Sequence, residues 1–135
     1  MICLSNSNAQ TLAAGQSLIF NTEILHTGCA ECYQPNSGTV NLAAKNAIYE
    51  IHFSANVGTT TEAEQAQLAI NINGSPMAET TMISTTAAAG DINNVSTSTL
   101  IKTCCCGANF ITVTNTGTTT VNVESNPCLY VKRVA

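Results

Sequence analysis

At 135 residues the chain has room for one hydrophobic core and no second one, and it is long enough to fold without disulfides. Charged residues are only 9% of it and the formal net charge is −4, with Lys45, Lys102, Lys132 and Arg133 as the whole cationic set. That excludes the clustered Lys and Arg that phosphate backbones demand, so no nucleic-acid partner is expected. No stretch is apolar for long enough to cross a bilayer, so no membrane partner is expected either.

Thr, Asn and Ser make up about a third of the chain, yet 44% of it is hydrophobic, so a core is available. Thr, Val and Ile favour the pleated surface of a strand. In chain order, Met1 to Gln10 reads as a polar N-terminal arm, ordered only by lying on a partner, and 11–135 as the folded domain. The arm lacks a basic start followed by an apolar run, so the expectation is a chain made in a cytosol without a secretory leader. That weakens the usual inference from many cysteines to secreted disulfides.

Ser17 to Leu25 reads as the first strand, after the Ala13-Ala14-Gly15 turn. Thr39 to Ala43 follows the Pro35-Asn36-Ser37-Gly38 turn. Ala47 to Val57 alternates most clearly: Tyr49, Ile51, Phe53 and Ala55 fall on one face, and Ile48, Glu50, His52 and Ser54 on the other. Thr61 to Gln67 reads as a loop holding one turn. Leu68, Ile70 and Ile72 alternate with polar or small residues and run into Asn73-Gly74, the pair preferred in tight hairpins because both residues take positive φ. Met77 to Ser84 is the expected return strand, and Ala87 to Asp91 a loop. Ser96 to Cys106 is the next strand, turned by Gly107-Ala108 into Asn109 to Asn115. Thr119 to Glu124 and Cys128 to Val134 complete the set. About eight to ten antiparallel strands with essentially no helix predict an all-β fold, and a two-sheet antiparallel jelly roll closes such a set with few exposed edges.

The cysteines leave three readings open. His26, Cys29 and Cys32 with Cys104 and Cys106 could supply imidazole and thiolate ligands to zinc, although in a strand Cys105 would point away from Cys104 and Cys106. Cys3, Cys29, Cys32, Cys104, Cys105, Cys106 and Cys128 are also disulfide or cross-link candidates, and the odd count leaves one thiol over. On this reading Cys3, on a free arm, links subunits. Finally, all seven serve as small buried hydrophobes. A redox role for Cys29-Ala30-Glu31-Cys32 lacks the helix N-terminus that lowers a thiol pKa.

Catalysis has little to draw on. Glu50 and His52 share a strand face, an arrangement more typical of packing or an interface than of acid–base work. There is no nucleophile elbow, phosphate-cradling loop or zinc-protease helix motif, so neither an enzymatic activity nor a cofactor is expected. Glu62, Glu64, Glu79, Asp91 and Glu124 are scattered acids on a solvated surface, without a calcium-loop spacing. With 4% aromatics and no Trp, a stacking platform for glycans is thinly supplied.

Four motifs in order carry a family likeness over nearly the whole chain. They are Gly38-Thr39-Val40-Asn41-Leu42 with Ile48 to Phe53, Leu68 to Met77, Phe110 to Asn115, and Leu129 to Ala135. They resemble the tumour-necrosis-factor-like jelly roll of complement globular heads, and more closely the C-terminal domain of bacterial collagen-like spore-surface glycoproteins. A narrower resemblance is to stand-alone head decoration proteins of clostridial phages, which share a Gly-Cys-x-Cys-like element and a late Cys-Cys-Cys run. Here these are Gly28 to Cys32, one residue wider, and Cys104-Cys105-Cys106.

The resemblance implies a homotrimer packed through one sheet, with Glu50, His52, Tyr130 and Lys132 as interface candidates. It implies a non-catalytic structural protein that decorates a phage capsid exterior. The major capsid protein or another surface-lattice protein would be its partner, and Met1, Ile2, Cys3 and Leu4 its contact. The alternatives are a spore-surface protein cross-linked through cysteines, and a trimeric module binding a host receptor or glycan.

Overall fold

The computed structural model describes residues 1–106 and 108–135. Two antiparallel sheets face each other across one core. In chain order the strands are β1 (Ile2–Ser5), β2 (Gln10–Leu12), β3 (Thr22–His26), β4 (Glu31–Tyr33), β5 (Val40–Leu42), β6 (Ile48–Gly58) and β7 (Gln65–Ile72). There follow β8 (Ser75–Pro76), β9 (Met82–Thr85), β10 (Asn93–Lys102), β11 (Asn109–Asn115), β12 (Val121–Val123) and β13 (Cys128–Arg133). A single 3-10 turn, Ala78–Thr80, is the only helical element among the described residues. The first sheet has seven strands in the order β2-β12-β6-β13-β1-β3, with β10 on the free side of β6. The second has six, β4-β5-β11-β7-β8, with β9 also on β7. This is the expected two-sheet jelly roll.

The alternation in β6 sets the interior. Tyr49, Ile51 and Phe53 are wholly buried, while Ile48 and His52 face out. From the other sheet Leu68, Ile70, Ile111 and Val113 close on them. Each such side chain contributes about 1.5–3 kcal/mol when removed from water. Strand β6 is held along its length, by β10 from Asn93↔Val57 to Lys102↔Ile48 and by β13 from Cys128↔Ser54 to Arg133↔Tyr49. The Asn73-Gly74 hairpin forms as expected, with φ of 51° and 84°.

The structure corrects several expectations. Residues 1–10 are not a free arm. Strand β1 lies inside the first sheet, with Ile2↔Val131 and Leu4↔Leu129 on one side and Cys3↔Leu25 on the other. Ile2 and Leu4 are wholly buried, so neither is a surface contact for a capsid. The physical reason is the alternation Ile2-x-Leu4, which supplies two apolar side chains to a strand bordered on both sides. The strand expected over Ser17 to Leu25 is the third, and it begins later than expected. Residues 17–21 cross between the sheets: the Leu18 N–H donates to the Val113 carbonyl (2.7 Å) and the Asn21 N–H to the Ser5 carbonyl (3.1 Å). Regular pairing begins only at Thr22.

The return strand after the hairpin is split. β8 pairs with Asn71 and Ile72, β9 with residues 65–68, and the 3-10 turn lies between them. Buried Thr80 fills the gap. Its hydroxyl accepts from the Ile70 N–H (2.9 Å) and donates to the Met77 carbonyl (2.7 Å), replacing ladder bonds that the turn removes. Strand β10 ends at Lys102, so the cysteine triplet lies outside it. The turn expected at Gly107-Ala108 falls partly on Gly107, outside the described residues.

Candidate functional site

Three groups of side chains stand apart from the core: the outer face of the first sheet, the cysteines, and a buried acid at one end of the sandwich.

The outer face is built by β10, β6, β13 and β1, side by side. Register places Ser98, His52 and Tyr130 in one row across these strands, next to Cys3, and Leu100, Glu50 and Lys132 in the neighbouring row. The four trimer-interface candidates, Glu50, His52, Tyr130 and Lys132, are therefore contiguous. Glu50 and Lys132 sit opposite each other, which balances the charge. Leu100 is 64% exposed and Ile48 is also exposed, large aliphatic side chains on strands that supply the core, and Leu25 is exposed on β3 opposite Cys3.

The cysteines fall into separate places. Cys3 and Cys128 are half-buried on neighbouring strands of that face, with their Sγ atoms 3.8 Å apart. Cys3 is thus beside a thiol of its own chain, not on an arm reaching for another. The pair is diagonal in the ladder, since Cys3 lies opposite Tyr130. Burial first, and then the neighbouring Cys128, push the Cys3 thiol up to about 11. Cys29 and Cys32 are exposed, the latter on β4. His26 is taken up locally: Nε2 is 3.0 Å from the Glu31 carbonyl and Nδ1 is 3.4 Å from a Glu23 carboxylate oxygen.

Among the described residues, the one group of three or more metal-ligating side chains within reach of a common ion is Cys104, Cys105 and Cys106. The candidate set joining His26, Cys29 and Cys32 to Cys104 and Cys106 is not assembled among the described residues. The expectation that Cys105 would point away is also corrected, because the chain leaves strand geometry after Lys102. The Cys104–Cys106 and Cys105–Cys106 sulfur separations are 3.8 and 3.7 Å, and all three sulfurs lie within 4.8 Å of one another. Hydrogen bonds from the Cys106 backbone and thiol hold the Cys104 thiol below its ordinary range, while bonding to Cys104 and Cys105 raises Cys106.

Sequence reasoning missed Glu31. It sat between two cysteines in an apparent loop, with no periodicity to show that it points inward. It begins β4 opposite Leu42, and its side chain is wholly buried. One carboxylate oxygen accepts from the Met1 amine (2.7 Å) and the other from the Arg133 N–H (2.9 Å). The acid therefore ties the starts of β1 and β4 to the end of β13. Tyr49 reinforces this end, donating to the Ala30 carbonyl (2.7 Å) and accepting from the Ala44 N–H (3.1 Å). Burial raises its phenol. The depression nearby, lined by Cys29, Ala30, Ala43, Ala44 and Arg133, is shallow and holds no acid–base pair.

This architecture has counterparts among solved structures. The Eiger TNF of S. frugiperda matches with a TM-score of 0.76 at 6% identity, over 99% of this chain and 91% of that one. The globular domain of zebrafish complement 1qA matches with a TM-score of 0.72 at 8% identity, over 99% and 96%. The vertex protein P5 of PRD1 matches with a TM-score of 0.53 at 14% identity, over 99% and 97%. No protein-family model matches the sequence, and no curated protein matches it. At such identities the likeness shows the fold: a jelly roll of the tumour-necrosis-factor and complement-1q kind.

Proposed function

We propose that this chain is a non-catalytic structural protein that forms homotrimers through the outer face of its seven-stranded sheet and decorates a phage capsid. The observation that carries self-association is a face on which exposed Leu100 and Ile48 lie beside Tyr130, His52 and the opposed Glu50 and Lys132. A face with large aliphatic groups and balanced charge gains by being covered, and interface cores are depleted in charge. A threefold arrangement closes such head-to-tail contacts. A second copy of the chain is the occupant that the resemblance to trimeric jelly rolls supports.

The likeness to stand-alone decoration proteins of clostridial phages supports the virion exterior as the location and the major capsid protein as the partner. The shared fold with a vertex protein is consistent with this. Because Ile2 and Leu4 are buried, the capsid contact falls to the exposed loops at the ends of the sandwich. The test is the composition of purified particles. The chain should be present in whole virions, be removed by mild stripping, and rebind as a recombinant protein to stripped heads. Particles that neither contain it nor rebind it contradict the reading.

One observation favours a spore-surface layer instead: Cys29, Cys32, Cys104, Cys105 and Cys106 are all exposed and open to cross-linking. A ladder of disulfide-linked oligomers on non-reducing gels of spore extracts supports that alternative.

A further inference from the structure

The cysteine triplet has a geometry that self-association through the outer sheet face does not use. Three consecutive residues in a strand send their side chains to alternating faces, so converging sulfurs require a departure from strand geometry. Both shoulders of this loop are pinned. On one side Thr103 is buried; its N–H donates to the Ala47 carbonyl (2.9 Å), and its hydroxyl donates to the Ala44 carbonyl (2.7 Å) and accepts from the Ala47 N–H (3.0 Å). On the other side buried Asn109 opens β11 opposite Leu42 and accepts from the Cys104 N–H (3.4 Å) and from the Asn73 amide (3.4 Å). Next to these anchors all three sulfurs lie in one place.

Two of their three separations fit the edge of a coordination shell, and the third lies within 4.8 Å. Thiolates on zinc lie at about 2.3 Å, so the edge of a tetrahedral sulfur set is about 3.8 Å. The two measured separations, 3.8 and 3.7 Å, lie on that edge length. All three thiols are exposed, so a fourth position opens to solvent. Soft sulfur donors with no carboxylate or imidazole among them select thiophilic ions over calcium or magnesium.

We propose that Cys104, Cys105 and Cys106 form a three-thiolate site for a thiophilic cation such as Zn²⁺, with the fourth coordination position held by water or an exogenous ligand. On binding, the three thiols release their protons to the buffer, three sulfur–metal bonds form, and metal-bound waters leave. The site belongs to the single chain and does not depend on how the protein assembles.

The test uses the full chain, fully reduced and kept anaerobic, titrated with Co²⁺ as a spectroscopic probe. The expected result is a thiolate-to-cobalt charge-transfer band saturating at one equivalent per chain and displaced by Zn²⁺. The Cys104→Ser/Cys106→Ser variant should lose the band, whereas Cys29→Ser/Cys32→Ser and Cys3→Ser/Cys128→Ser should keep it. The triplet is exposed, so the serine variants retain the wild-type melting temperature, which serves as the folding control. Absence of the band in the wild type, its survival in Cys104→Ser/Cys106→Ser, or its loss in Cys29→Ser/Cys32→Ser would each overturn the assignment.

Discussion

Replacing Glu31 with alanine tests how the ends of the chain are held. The wild-type carboxylate is wholly buried and satisfies the Met1 amine at 2.7 Å and the Arg133 N–H at 2.9 Å. Removing one partner of a buried ion pair costs about 3–5 kcal/mol, because the other partner stays behind uncompensated. The low end applies here, since the Met1 amine also donates to the Thr27 carbonyl (2.7 Å) and Met1 is one-third exposed. For a chain of this length about 3 kcal/mol lowers the melting temperature by roughly 10 °C. Glu31→Gln keeps one acceptor oxygen, for the Arg133 N–H, but sets an NH2 donor against the Met1 amine, so it destabilises as well. Glu23→Ala is the surface comparison: the Glu23–His26 pair is exposed and contributes under about 0.5 kcal/mol. The assay is thermal unfolding followed by circular dichroism at one fixed protein concentration, since self-association makes the melting temperature concentration-dependent. A Glu31→Ala melting temperature within about 2 °C of wild type would refute the assignment of Glu31 as the clamp.

Thr80→Val leaves the Ile70 N–H and the Met77 carbonyl without their hydroxyl partner in a buried site, and costs about 1–3 kcal/mol in denaturant unfolding. Gly38→Ala destabilises as well, because a Cβ there would stand 2.4 Å from the Leu18 backbone oxygen; a melting temperature equal to wild type contradicts that close approach. In the reduced protein Cys3 resists alkylation at pH 8, and its rate climbs with pH until near 11, while Cys104 reacts first; mass spectrometry of timed iodoacetamide digests reads the order. Leu100→Asp sets a carboxylate opposite Glu50 and costs the monomer up to about 1 kcal/mol, which leaves it folded, yet converts the assembly to monomers.

Much of the architecture was legible where one face of a strand is buried. In β6 Tyr49, Ile51 and Phe53 alternate with polar partners over eleven residues, and a slip of one position would invert the face. Asn73-Gly74 named its own turn through the positive φ it demands. The contiguity of Glu50, His52, Tyr130 and Lys132 could be foreseen only through resemblance, since pairing of β6 with β13 is a long-range fact that no local pattern carries. Strand β1 escaped for the same reason: Ile2 and Leu4 are two apolar residues before a polar stretch, and their burial depends on β13, at the other end of the chain. Glu31 was illegible because a lone acid reads as solvated until its partners, the Met1 amine and the Arg133 N–H, are brought to it. The triplet was misread by carrying strand periodicity past Lys102, where Thr103 turns inward and ends the ladder with β6.

Self-association through the outer face of the seven-stranded sheet is the claim on which the rest of the functional account stands. Light scattering of the reduced wild-type protein, measured as it elutes from a size-exclusion column at micromolar concentration, tests it most directly. A single species at three times the 14.0 kDa chain mass is expected, reduced to one chain by Leu100→Asp. A wild-type protein that elutes at one chain mass, or a trimer that Leu100→Asp leaves intact, would contradict it.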